Sequence, residues 1–204
     1  MKKMNQKGFT IIELMIATVV FSTILLLCSY ALLNIGRTYY KGVTTTRTQE
    51  AARTVIDDIS QSIQFGPGTV YIPAGGEATV GTSGYYCAGG KRYSYTRDWQ
   101  LTGNRHALVT DAPTQCNGGT GVQNLNSASP TLSASSRELM SRGMRLANFR
   151  VESAGTDLYR ITVRVVSGED DLLNTAHNGC SADRAGTQYC AASELTTVVQ
   201  KRVR

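Results

Sequence analysis

From Phe9 to Leu33 the chain is almost continuously apolar, FTIIELMIATVVFSTILLLCSYALL, and its only charged side chain is Glu13. The unbroken part, Leu14 to Leu33, is about 20 residues, the length that spans hydrocarbon as a helix. Further on, Ala52, Val55, Ile56, Ile59 and Ile63 recur at the spacing of one helical face, with Arg53, Asp57, Gln61 and Gln64 covering much of the rest. Gly66-Pro67-Gly68 ends that pattern with strong stop signals. The two stretches predict one long helix, a membrane half over 9–35 and an amphipathic half over 36–65. Between them Gly36, Gly42 and Thr44-Thr45-Thr46 are poor helix formers. An intact helix and local melting there are both open.

After Thr69 the period changes from helical to alternating. Short strands are predicted at Val70–Ile72, Lys91–Trp99 and Arg105–Thr110, with glycines 75, 76, 81, 84, 89 and 90 marking turns. Thr114–Ser136, rich in Gly, Asn and Ser, reads as a long loop. Met144–Glu152 and Leu158–Ser167 form the clearest pair, joined through Ser153–Asp157, and the alternation of Arg160 to Val165 is that of a half-buried strand. Leu195–Val203 supplies a last strand. The class is α+β.

The lone carboxylate sharpens the reading of the N-terminus, because a charge in a membrane helix costs about 2.5–3.5 kcal/mol on insertion scales. A secretory signal peptide fits poorly, since the apolar run is too long and no A-x-A site follows. Cys28, preceded by three leucines, is no lipoprotein site. Lys2, Lys3 and Lys7 set the start in the cytoplasm and the rest outside, but an ordinary signal anchor gives no reason for Gly8-Phe9 or for Glu13.

The stretch KGFTIIELMIA resembles the class III signal of type IV prepilins and type II secretion pseudopilins. That resemblance, strictly covering residues 7–35, implies cleavage between Gly8 and Phe9 by a prepilin peptidase, removing a leader of residues 1–8. Phe9 then becomes the N-methylated first residue. Glu13 lies one helical turn from it, and in this family it is thought to pair with the N-terminal amine of a neighbouring subunit. The implied architecture is the type IV pilin fold, a long N-terminal helix on an antiparallel sheet with disulfide-closed loops, the β-rich extracytoplasmic domain covering 66–204. Implied partners are the peptidase, other major and minor pilins, an inner-membrane assembly platform, and membrane lipid before assembly. The implied place is the inner membrane, then a pilus or pseudopilus at the cell surface. Arg53–Phe65, the Met144–Ser167 hairpin and TTVVQKRVR also resemble minor pilins and pseudopilins of the W/J type. Tip subunits of the K type generally lack the glutamate. The expected function is that of a minor pilin that assembles into, primes or caps a type IV pilus. The alternatives are a minor pseudopilin of a secretion system and a tip-located adhesin or DNA-binding pilin.

Charge and cysteines bound the rest. Loss of the three leader lysines leaves 18 basic against 15 acidic side chains, no strong nucleic-acid footprint. Cys28 lies in the apolar helix as a small hydrophobe. Cys87, Cys116, Cys180 and Cys190 lie in the external part, where oxidation is expected. Of three possible pairings, Cys87–Cys116 and Cys180–Cys190 each close a local, loop-rich segment. No C-x-x-C pair exists, and His106 and His177 stand isolated in the sequence, so neither metal nor cofactor is expected. Glu169-Asp170-Asp171 lacks the alternating spacing of a calcium loop and reads as a solvated turn. Tyr85, Tyr86, Tyr93, Tyr95 and Trp99 interleave with Lys91, Arg92 and Arg97, a composition that could stack single-stranded nucleic acid. Strand residues with inward rings and outward charges are the stronger reading. No P-loop, H-E-x-x-H or G-x-S-x-G motif is present, and no enzymatic activity is expected.

Overall fold

The apolar positions that recur at helical spacing fold into α1 (Ile11–Phe65) in a computed structural model that describes residues 8–73, 83–103, 105–113, 125, 132 and 134–203. The chain divides into two compact units, Met1–Tyr40 and Lys41–Arg204. In the first, every described side chain from Gly8 to Ile35 is exposed, as an apolar helix of membrane length is when no bilayer is present. Residues 36–46 are helical, so the local melting left open by the sequence is not observed. Threonine hydroxyls there donate back to the preceding turn, Thr45 to the Lys41 carbonyl (2.8 Å) and Thr46 to that of Gly42 (3.1 Å). Such back-bonding gives a residue of low propensity a partner inside the helix.

In the second unit Ala52, Val55, Ile56, Ile59 and Ile63 are all buried. The helix stops at Phe65, where Gly66-Pro67-Gly68 follows, and Gly66 packs against the turn at Gly89. A Cβ built on Gly66 would lie 2.1 Å from the Gly89 Cα, a distance only two glycines permit.

Two antiparallel sheets receive this face. The first has the order β1 (Ser83–Ala88), β2 (Lys91–Thr96), β3 (Leu108–Asp111), β4 (Arg137–Glu138), and the second the order β5 (Met144–Gly155), β6 (Leu158–Ser167), β7 (Ala191–Gln200). A parallel bridge between Arg97 and Leu146 joins them, with Asp98 N–H donating to the Leu146 carbonyl (3.0 Å) and Leu101 N–H to that of Met144 (2.9 Å). The shared core holds the helix residues together with Tyr86, Tyr93, Tyr95, Phe149, Ile161, Val163 and Val165. Phe149 meets Tyr86 and Tyr95 edge-on, with centroids 5.2 and 5.0 Å away, a favoured aromatic arrangement. Asp58 ties the helix to the first sheet, accepting from the Tyr93 hydroxyl (2.7 Å), Lys91 (3.3 Å) and Arg137 (3.2 Å).

Several sequence expectations need correction. Gly84 is not in a turn but in β1, a strand the sequence did not predict, where the Tyr95 ring lies 2.6 Å from where a Cβ would be. The predicted strand at Val70–Ile72 reduces to a bridge between Tyr71 and Cys87. The predicted Arg105–Thr110 strand begins only at Leu108, and the last strand ends at Gln200. The hairpin connection after β5 shrinks to Thr156-Asp157, with Asp157 at φ 57°. Most of the predicted loop 114–136 lies outside the described residues.

Candidate functional site

The start of α1 carries the resemblance, and its local chemistry is a reciprocal cap. Thr10 precedes the first helical residue, Ile11, and Glu13 occupies the third helical position. Glu13 Oε2 accepts from the Thr10 N–H (2.9 Å) and from its hydroxyl (2.8 Å), and the Glu13 N–H faces Thr10 Oγ1 at 3.3 Å. A helix start leaves four N–H groups without intrahelical acceptors. Thr-x-x-Glu satisfies two donors reciprocally, the capping box. The acid sits where the positive end of the helix dipole favours it. The Glu13 carboxylate thus bonds Thr10, and the Phe9 side chain stays exposed. Phe9, Ile16, Val20 and Phe21 are exposed along the same stretch of helix as Glu13. The Thr-Ile-Ile-Glu spacing was readable in the sequence.

Of the four external cysteines, Cys180 and Cys190 are joined as expected. Cys87 is disulfide-bonded, while Cys116, its expected partner, lies outside the described residues. Cys28 is free and exposed on the apolar helix.

Most rings of the basic-aromatic stretch turn inward, while Tyr85 and Trp99 are half-buried. Tyr86, Tyr93 and Tyr95 are buried in the core. Arg92 is buried too, clamped bidentately on Asp111 through Nε–Oδ1 (3.0 Å) and Nη2–Oδ2 (2.6 Å), the strong planar form of such a pair. Arg97 donates to the Ala147 carbonyl at 3.0 Å. Burial pushes the Tyr93 hydroxyl well above the usual phenol range. Tyr93 bonds the helix through Ser62 (2.7 Å) and Asp58 (2.7 Å), whereas Tyr85 stacks on Tyr71 and Trp99 lies under Arg105.

The residues that looked isolated are gathered into a polar cluster that no sequence signal announced. Arg145, 1% exposed, donates to Asp98 Oδ1 (3.1 Å), to Asp170 Oδ1 (2.6 Å) and to the Gly168 carbonyl (3.2 Å). His177 Nδ1 lies 2.6 Å from the second oxygen of Asp98. The Arg145 hydrogen bond holds the Asp170 carboxyl below the usual carboxylate range. Asp98 and His177 both adopt positive φ, 62° and 51°, a conformation non-glycine residues hold when their surroundings fix it. The cluster binds the β2 end, the β5 start and the segment leading into the Cys180–Cys190 loop. Its cation is an arginine, and among the described residues no group of His, Cys, Asp and Glu could hold a metal. His106 pairs with Glu138 at 3.2 Å; burial raises the Glu138 carboxyl against the bonds it accepts from Met140 and Leu108.

No curated protein and no solved structure matches the chain. Residues 3–29 match the family model of the prokaryotic N-terminal methylation motif. A long N-terminal helix whose buried face packs on antiparallel sheets, closed near its end by the Cys180–Cys190 bond, has the arrangement of the type IV pilin fold. With that motif at the head of a membrane-length apolar helix, the N-terminus is of the prepilin type, the class III signal of type IV pilins and pseudopilins.

Proposed function

We propose that the protein is a minor pilin: a structural subunit that is stored in the inner membrane, processed by a prepilin peptidase between Gly8 and Phe9, methylated at Phe9, and drawn into a type IV pilus that it primes or caps. In this reading residues 9–35 serve as anchor and filament core, 36–65 as the helical continuation, and 66–204 as the extracytoplasmic domain. The observation that carries it is the methylation motif at residues 3–29 with Glu13 held in a defined geometry at the head of the apolar helix. A carboxylate kept in low dielectric strongly favours a state that supplies its counter-charge, here the amine of an adjoining subunit.

The test replaces Glu13 with Ala at wild-type expression. Leader removal, read by mass spectrometry as loss of residues 1–8, should persist, while incorporation into sheared pili falls at least tenfold. Undiminished incorporation and pilus yield would refute the charge-pair role. An uncleaved Gly8–Phe9 bond in cells with an active peptidase would refute the class.

A further inference from the structure

β7 is an edge strand of ten residues, Ala191–Gln200, paired to β6 through ten consecutive register positions without a bulge. Its backbone groups on the side away from β6 have no partner among the described residues. Natural sheets blunt such edges with lysine, proline, bulges or very short strands. The sequence AASELTTVVQ has none of these and a single charge, Glu194. The other edges are managed. β4 has two residues, β1 is crossed by the Tyr71 bridge, and β5 carries a register shift between Leu146 and Asn148 and is covered at its start by Asp98 and Leu101.

The side chains of the edge point to an occupant. On the inner face Ile161, Val163 and Val165 of β6 are fully buried, yet their β7 partners Thr197, Leu195 and Ser193 are only half-buried. The core layer is left half-covered along the middle of β7, while Ala191 and Val199 near its two ends are buried. On the outer face Glu194 is already paired with Arg164 at 3.7 Å. Arg160, exposed and opposite Val198, has no ion pair among the described residues, because its cross-strand neighbour Glu152 turns to Arg150 at 3.2 Å.

We infer that β7 is a strand-addition site for an extended segment of a different extracytoplasmic polypeptide. That segment carries apolar residues on the side continuing the core and, opposite Val198, a glutamate long enough to reach across β7 to Arg160, which stands one strand further in on β6. Backbone pairing supplies affinity in this mode and alternate side chains supply selectivity. A second copy of this chain fits less well, since its own β7 offers one carboxylate that Arg164 already holds. Gly8, Phe9 and Glu13 take no part, so the outcome is independent of the processing and assembly reading.

The probe is a capped ten-residue peptide alternating valine with glutamate and threonine, added to the full-length protein in detergent micelles. Hydrogen exchange of segment 191–200 is followed by mass spectrometry, with a lysine-for-glutamate peptide as comparison. The acidic peptide should slow exchange of the outward amides at least tenfold, and the lysine peptide much less. Arg160→Glu, a change on an exposed face, should reverse that preference. Absence of protection by the acidic peptide, or equal protection by both peptides, overturns the inference. So does concentration-dependent protection without peptide, accompanied by dimers in sedimentation, since β7 would then be taken by a second copy.

Discussion

Replacing Arg145 with methionine tests the buried polar cluster most directly. Methionine fills much of the arginine stem's space, so the change removes charge and hydrogen bonds with little cavity. The Arg145 side chain is 2% exposed, that of Asp98 13% and that of Asp170 76%. Loss of the guanidinium therefore strands Asp98, which keeps only His177, whereas Asp170 turns to water. Breaking a buried pair by deleting one partner costs about 3–5 kcal/mol, and the remaining imidazole puts this case near the lower end. For a unit of this size each kcal/mol moves Tm by about 2–4 °C, so R145M should lower Tm by about 6–12 °C. Asp170→Asn, which loses only a mostly exposed partner, should cost about 1 kcal/mol or less. The double variant R145M with Asp98→Asn should be more stable than the sum of its parts, because no unpaired carboxylate is left behind. Near-UV circular dichroism of the core tyrosines in full-length protein in detergent reads the transition. An R145M melt within 2 °C of the wild type, or a D170N variant as unstable as R145M, would falsify the claim that burial of Asp98 makes this pair matter.

The pH dependence should carry two opposed contributions. Asp170, held low chiefly by its hydrogen bond from Arg145, contributes stability present above the ordinary aspartate range and lost as pH falls through its lowered folded value. Glu138, raised chiefly by burial, contributes stability present at acid pH and lost as pH rises through its raised folded value. In Tm measured against pH, Asp170→Asn should flatten the acid-side fall, and Glu138→Gln should flatten the opposite slope. At the β1–β2 turn, Gly89 and Gly90 have φ of 60° and 73°, but only a Cβ at Gly89 meets atoms, the Ser62 carbonyl oxygen at 2.5 Å and the Gly66 Cα at 2.9 Å. Gly90→Ala should cost about 1–2 kcal/mol of left-handed strain. Gly89→Ala should add about 1–3 kcal/mol of overpacking, and equal melts for the two variants would contradict the close approach.

The helix was legible because its signals are local. Ala52 to Ile63 repeat at 3.6, and Gly-Pro-Gly stops the pattern where Gly66 meets Gly89. The β5–β6 hairpin was legible for the same reason, from period-two alternation. Its irregularity was written there too: Met144 and Leu146 are apolar in one phase, Phe149 and Val151 in the other. The register shift between Leu146 and Asn148 makes that change of phase, letting all four face the core. β1 was hidden because Gly84 reads as a turn residue, and only the Tyr95 ring lying on it explains a glycine inside a strand. The inward rings expected of the basic-aromatic stretch are found at Tyr86, Tyr93 and Tyr95, but the charges are not all outward, because Arg92 finds a buried partner in Asp111, 19 positions on, which no local period encodes. The Arg145 cluster joins residues 25 and 47 positions from the arginine, and no period or spacing encodes such a meeting.

The capping box alters what Glu13 contributes to the proposed assembly. A bare carboxylate in hydrocarbon makes the stored subunit costly by about 2.5–3.5 kcal/mol. Two hydrogen bonds to the carboxylate from Thr10, each worth about 1.5–3 kcal/mol when one partner is charged, offset much of that cost before any neighbour arrives. In the proposed assembly the stored subunit would carry only the remainder of that cost, and that remainder still favours the state in which a neighbour supplies an amine. Both bonds fall on Oε2, and Oε1 has no partner among the described residues. An incoming amine can take Oε1 while the cap stays closed, so pairing does not require Thr10 to be given up. The gain on assembly is then one charge-assisted bond to an oxygen whose direction is already fixed. In the proposed assembly a gain of that size would select register between subunits, and the exposed apolar side chains of Phe9, Ile16 and Val20 would supply the area that holds them together.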